Sequence, residues 1–395
     1  MGKTKKEHYV PQCYLKNFMI PGTDEKINVF DKSKEQVRLK QNILDNASER
    51  YFYDIDIDKI LAEASEDKRI SMMEQLGENY DVYKNDKEQH LEKFFSNVIE
   101  GYYSRVLKSI ISKAENASPW YIKNCYCMSE EEQVIMAVCI TMQFWRTKKQ
   151  RVMLEEGITK FSTAMLCKLY NIEYGDKFGR ISKEDFETTI GKEAMKLQHA
   201  EFILNIQNIL EFSAIFLRHI WVIYINRTDE PFWTSDAPVA LNPMPNGWRS
   251  GKGVASRGIE IVLPLSDKVA LGMYDAEMYA PMLSLLSNRD NRMYLEIKDK
   301  EQIQRFNQLQ VIESYRCVYM NPKANYSNSV PLESIIKAVY PEGLGKYKDI
   351  ASKKRYILKN IEKICKAMQA KGIFFKRYEV SSNSKGDIIY IFHRN

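Results

Sequence analysis

The chain has 395 residues and a formal charge of +6, with 44% hydrophobic, 28% charged and 12% aromatic residues. That balance excludes a disordered chain and supplies a large core, which by length divides into two or three substructures. Seven scattered cysteines, and no apolar run after Lys3, Lys5 and Lys6, argue against a disulfide-stapled secreted domain, so a cytoplasmic protein with reduced thiols is expected.

Chain starts fray unless something ties them down. Here KEHYVPQCYLKNF, residues 6–18, crowds aromatic and apolar side chains around Pro11 and predicts an anchored strand or turn. KINVFDK follows with strand alternation, and QVRLK reads as its hairpin partner. SERYFYDIDID reads as a strand that leaves the sheet. From Asp86 to Glu115 the period changes, with Leu91, Phe94, Phe95, Val98, Tyr102, Val106, Ile110 and Ile111 recurring at three and four as in an amphipathic helix.

Ser118 and Pro119 stand as N-cap and first residue of the next helix. SEEEQVIMAVCITMQFWRTKKQRVML then reads as one long helix, with Ser129 and Glu132 forming a capping box. HAEFILNIQNILEFSAIFLRHI is a second long helix; its apolar end, AIFLRHIWVIYI, falls short of the roughly 18 to 20 residues of a membrane span. Strands return in WVIYIN, PFWTSDAPVALN, IEIVLPL and KVALGMY. A helix, KEQIQRFNQLQVIES, leads into a buried strand, YRCVYM. Beyond Pro331 the composition turns basic: residues 346–395 hold thirteen lysines and arginines against four acids, so this end carries +9 and the rest nets −3. KKRYILKNIEKICKAMQAKG predicts a helix, and IFFKRYEV with DIIYIFHR a hairpin.

The expected fold is α+β. A mixed or antiparallel sheet is formed by the N-terminal and central strands, with a large helical block (85–220) inserted between them. Residues 1–322 make the main domain and 323–395 a C-terminal helix and β-hairpin module of winged-helix order.

His8, Tyr9, Val10, Pro11, Gln12, Cys13, Tyr14, Leu15, Lys16, Asn17 and Phe18 spell HYVP-x-x-Y-L-x-x-F. With the strand Ile27 to Lys32, the Q-x-x-R-T of Gln143, Arg146 and Thr147, the T-S-D-x-P-V of Thr234 to Val239, and Asn307 and Gln308 before RCVYM, this order resembles the uncharacterised family called domain of unknown function 4238. The likeness covers roughly residues 5 to 322. It implies a bacterial protein of the kind credited with defence against bacteriophages, with no reaction attached. Cys13 stands where the family commonly has an aromatic residue.

The polar residues of these segments are the candidate site. His8, with Tyr9, Gln12 and Asp236, is the catalytic set: a neutral imidazole serves as base or metal ligand and Asp236 as its acidic partner. Arg146, Gln143 and Ser235 are the substrate-binding set, with the planar Arg146 fork suited to a phosphate. Each has a structural alternative: an aromatic anchor at the chain start, an Asp-x-Pro turn at Asp236, and a clamp from Arg146 onto Glu92, Glu100 or Asp236. Glu92 and Glu100 read as paired carboxylates for a metal or, more simply, as a solvated helix face. Cys125 and Cys127 form C-x-C and lack the rest of a zinc set. RSGKGVASRG, residues 249–258, reads as a basic loop.

No Walker loop, nucleophile elbow or metalloprotease motif is present. The expected function is an anti-phage effector hydrolysing phosphodiester bonds of nucleic acid or a nucleotide, as a nuclease-type hydrolase. The cofactor is undefined, with room for a divalent metal. The alternative is a non-catalytic sensor or scaffold that binds nucleic acid or a phage protein. Lys359, Lys363 and Lys366 recur at i, i+4, i+7 as a basic stripe for nucleic-acid phosphates. Transfer of a group from a nucleotide cofactor is a third reading. No membrane partner is expected.

Overall fold

The computed structural model describes residues 6–34, 36–63, 66–77, 90–184, 188, 190–243, 253–283 and 291–320, together with the strands 375–382 and 388–394. In chain order the strands are β1 (Lys6–His8), β2 (Lys26–Asp31), β3 (Gln36–Asn42), β4 (Ser48–Arg50), β5 (Ile220–Asn226), β6 (Thr234–Ser235), β7 (Ala240–Asn242), β8 (Glu260–Pro264), β9 (Val269–Tyr274), β10 (Arg292–Ile297), β11 (Cys317–Met320), β12 (Phe375–Ser382) and β13 (Ile388–Arg394). Among the described residues no strand lies between β4 and β5, and that interval is helical. The fold is α+β.

The chain forms two compact units, each drawn from three stretches. The first takes 1–15, 43–106 and 134–214, and the second takes 16–42, 107–133 and 215–395.

In the first unit the chain start is tied down. β1 pairs antiparallel with β4, the backbone N–H of Tyr9 donates to Ala47 O at 2.9 Å, and the Tyr9 ring packs 5.3 Å from Phe52. Pro11 then opens the short helix Gln12–Leu15, whose Tyr14 and Leu15 are buried. Around this anchor lie the helices His90–Phe94, Lys148–Glu173 and Lys192–Leu204. Sequence periodicity predicts one helix through residue 154, but the chain breaks at Thr147, whose hydroxyl accepts from Gln150 N and caps the helix that follows. The other long predicted helix breaks at Asn205, where Lys192–Leu204 and Ile206–Leu217 are bent by 61°. No single described helix is long and apolar enough to cross a membrane, although this bent pair passes by length and composition.

The second unit holds two larger sheets and the terminal β12-β13 pair. One is wholly antiparallel, in the order β3-β2-β11-β6, and so joins the predicted N-terminal hairpin to a strand almost 300 residues later. The other, β10-β5-β9-β8-β7, is antiparallel except that β10 runs parallel to β5. All seven residues of β5 are buried, as a central strand covered on both faces requires. Val222, Phe232, Val262 and Met293 pack with Ile303 and Phe306 of the helix Lys300–Glu313. Gly272 of β9 is needed there, because a Cβ would lie 2.8 Å from ring carbons of Tyr224 and Tyr274. The hairpin expected at the chain's end is present as β12 and β13. The helix expected before it, with Lys359, Lys363 and Lys366, lies outside the described residues.

Candidate functional site

The first unit contains the densest set of predicted site residues, and Arg146 is its centre. The helix Glu130–Trp145 ends just before it. Arg146 is 1% exposed. Its Nη2 donates to the carbonyl of His8, and its Nη1 donates to Glu100 Oε1 at 3.1 Å. The guanidinium lies 4.0 Å over the Phe95 ring. Its own carbonyl accepts from Tyr53 OH at 2.8 Å. Burial works against its charge, yet Tyr53, Glu100 and Glu92 outweigh it and raise its pKa. Of the three acids that sequence offers as a clamp, Glu100 makes the ion pair.

Glu100 pairs with the guanidinium and Glu92 acts on it electrostatically, because their helix is irregular. Eight residues apart, they would point about 80° apart on a regular α-helix. A π-helical turn, Phe95–Ile99, intervenes. Its extra residue rotates the rest of the helix back by about 100°. Both carboxylates then act on Arg146, and they act on each other.

His8 is buried and held from both sides. Its Nε2 lies 3.2 Å from Leu44 O, and its Nδ1 lies 3.3 Å from Gln12 Nε2. A carbonyl accepts and an amide nitrogen donates, so the ring carries its proton on Nε2 and offers Nδ1 as acceptor to Gln12. Burial, then the charge of Arg146, lowers its pKa and keeps it neutral. Neutrality fits the expected base, but neither nitrogen is left for a proton or a metal.

His8, Tyr9, Gln12, Gln143 and Arg146 belong to the first unit, Ser235 and Asp236 to the second. Asp236 Oδ1 accepts from Tyr315 N at 2.8 Å, and Oδ2 from Arg316 N and Cys317 N, each at 2.8 Å. Burial raises its pKa against those three amides. Ser235 Oγ donates to Gln310 Oε1 at 2.9 Å, Gln310 Nε2 donates to Pro238 O, and Asn307 brackets Pro231 and Trp233. The T-S-D-x-P-V segment is thus clasped onto β11 and the helix Lys300–Glu313. Both carboxylate oxygens of Asp236, expected as the acidic partner of His8, are engaged by backbone amides of its own unit.

Sequence reasoning missed Glu7, which sits beside His8 in β1 and is 1% exposed. Its Oε2 accepts from Tyr53 N at 2.6 Å. Burial, then neighbouring Asp54 and Glu92, push its carboxyl up to about 8, while burial takes Glu92 up to about 7 against the pull of Arg146. Five atoms of this cluster are buried without a hydrogen-bond partner: Glu7 Oε1, Glu92 Oε2, Arg146 Nε, and both Gln143 Oε1 and Nε2. The signal in the sequence is only that acids flank the H-Y-V-P segment and its helix.

Cys13 points Sγ at Glu100 O, 4.0 Å away, and burial pushes its thiol up to about 12. The six described cysteines are free. Among the described residues no group of three or more His, Cys, Asp or Glu is arranged to hold a metal ion. Of the basic loop 249–258, residues 249–252 lie outside the described residues, and Gly258 N donates to Asp275 Oδ2 at 2.7 Å.

No curated protein and no solved structure matches the chain. A family model does: that of Protein of unknown function (DUF4238), which matches residues 6–324. The matched region takes in the whole of the first unit's described residues and the sheets of the second as far as β11, and the chain belongs to this family.

Proposed function

We propose that the chain is a bacterial anti-phage effector that hydrolyses phosphodiester bonds of nucleic acid or a nucleotide, with its chemistry centred on Arg146. One observation supports a reactive site there. Glu7, Glu92, Gln143 and Arg146 keep buried polar atoms without partners, whereas folded proteins satisfy nearly all such atoms and the exceptions ask for an explanation such as a bound group. A planar guanidinium donating to a phosphate oxygen, beside a carboxyl that titrates at about 7, is a workable pair for phosphoryl chemistry. The proton-transfer role therefore moves from His8, whose nitrogens are engaged, to Glu92. The defence role rests on the sequence resemblance alone.

The test is incubation of the purified chain with DNA, RNA and nucleotides, with and without divalent cations, beside a Glu92→Gln variant of unchanged melting temperature. Cleavage by the parent and not by the variant supports the reading; intact substrates under every condition overturn it.

The second reading is a non-catalytic sensor or scaffold binding nucleic acid or a phage protein. It is favoured by the fate of His8 and Asp236, which both hold neighbouring backbone. If Glu92→Gln and Gln143→Leu keep full protection of cells against phage while chain-start variants unfold, the sensor reading replaces the hydrolytic one.

A further inference from the structure

The 26-residue helix Lys148–Glu173 carries an apolar stripe that the first unit leaves in solvent. Ile158, Phe161, Met165, Leu169 and Ile172 follow one another at three- and four-residue steps and so share one face. Ile158 is half-buried; Phe161 is 69% exposed, Ile172 72%, and Met165 and Leu169 about half. Met153, Leu166 and Phe178 are exposed nearby. The five stripe side chains leave on the order of 500 Å² open, the size of the largest patch on a typical monomer, which is often functional, and the exposed neighbours add to it.

The order of the stripe says what covers it. Counted from Met165, Phe161 and Leu169 lie four residues to either side, and Ile158 and Ile172 seven to either side. An isologous contact has this property: if residue i meets j, then j meets i. Two antiparallel copies crossing at Met165 set Ile158 on Ile172, Phe161 on Leu169, and Met165 on itself. In that register Lys160 faces Tyr170 and Lys168 faces Ser162, so neither lysine meets its own copy. An anionic membrane is a poorer occupant, because residues 153–178 hold Lys160, Lys168 and Lys177 against Glu155, Glu156, Glu173 and Asp176.

We propose that this face is the interface of a homodimer, in which two copies of the helix Lys148–Glu173 pack antiparallel about a two-fold axis at Met165. Analytical ultracentrifugation of the full chain is expected to give twice 46.3 kDa at micromolar concentration. The Phe161→Glu/Leu169→Glu variant is expected to give a monomer with the parent's circular dichroism, its dissociation constant raised at least about a hundredfold as for a central contact. Met165→Cys, mildly oxidised, is expected to form a covalent dimer that Phe161→Cys alone does not form. A monomeric parent, a dimer that survives the double substitution, or a dimer that Met165→Cys fails to cross-link would each overturn the proposal. So would a monomer that binds phosphatidylserine vesicles through this stripe.

Discussion

Two arginine–carboxylate networks, one in each unit, differ in how completely they are filled. In the second unit Glu260 accepts from Arg305 Nη1 and Nη2 at 2.6 Å each, from Tyr274 OH at 2.9 Å and from Asn242 Nδ2 at 2.7 Å. Tyr224 OH lies 2.7 Å from Tyr274 OH and extends the chain of bonds. Burial would raise Glu260, but the bonds and charge of Arg305 outweigh it and its pKa falls. In the first unit Arg146 leaves Nε unused, Glu92 and Glu7 each keep an oxygen without a partner, and both carboxyls rise. A complete network holds a fold and leaves nothing for a ligand to do. An incomplete one costs stability and asks for an explanation, such as a bound group.

The strongest way to break that comparison is to remove Arg146. Arg146→Ala strands Glu100 and the His8 carbonyl and empties the space over Phe95, so unfolding in urea is expected to show a loss of about 3–5 kcal/mol. Asp236→Ala comes next: three backbone amides lose their acceptor, and the same titration is expected to register about 2–4 kcal/mol. Activity normalised to the folded fraction is expected to stay unchanged, which separates a clasp from a catalyst.

A pH series gives a smaller effect with a definite sign. Glu7 titrates at about 8 and Glu92 at about 7, against an ordinary 4.5. Each holds its proton more tightly when folded. The stability this provides is complete below about 4.5 and is lost as the pH climbs through 7 and 8. The melting temperature is expected to fall from pH 5 to pH 9, and to fall less in Glu7→Gln, which cannot ionise. The smallest effect sharpens the contrast most. Gln143→Leu replaces an amide with no partner by an apolar side chain of similar size, and calorimetry is expected to find it neutral or more stable by up to about 1 kcal/mol. Loss of function in that stable variant is the outcome that the reactive-site reading requires.

Much of the fold was legible because it rests on local signals. The Ser129 and Glu132 capping box forms as written, with Ser129 N donating to Glu132 Oε2 and Glu132 N to Ser129 Oγ. Ser118 caps the helix Pro119–Asn124 through Tyr121 N. Asn205, a capping residue type, accepts from Asn208 N at the bend; its type was visible, but the apolar period ran straight through it. The site was less legible for a related reason. The 3.6-residue period carries no mark of a π turn, so Glu92 and Glu100 looked misaligned. Glu7 was one charge among several near the chain start, and only the pairing of β1 with β4 buries it. Asp236 and His8 were grouped by motif order, and order along a chain does not say which unit a residue joins.

The joining of β2 to β11 has a consequence for synthesis. Five of the six β2 residues are buried, and its Asp31 is gripped by Arg316, 285 positions later. A ribosome adding about 5–20 residues per second makes Arg316 roughly 15–60 s after Asp31. Throughout that interval Ile27, Val29 and Phe30 stand on a strand with one bare edge, a template for pairing with any passing chain. Soluble yield in a cell is therefore expected to depend on what shields β2 during translation, and to improve when growth is cooled or chaperones are supplied.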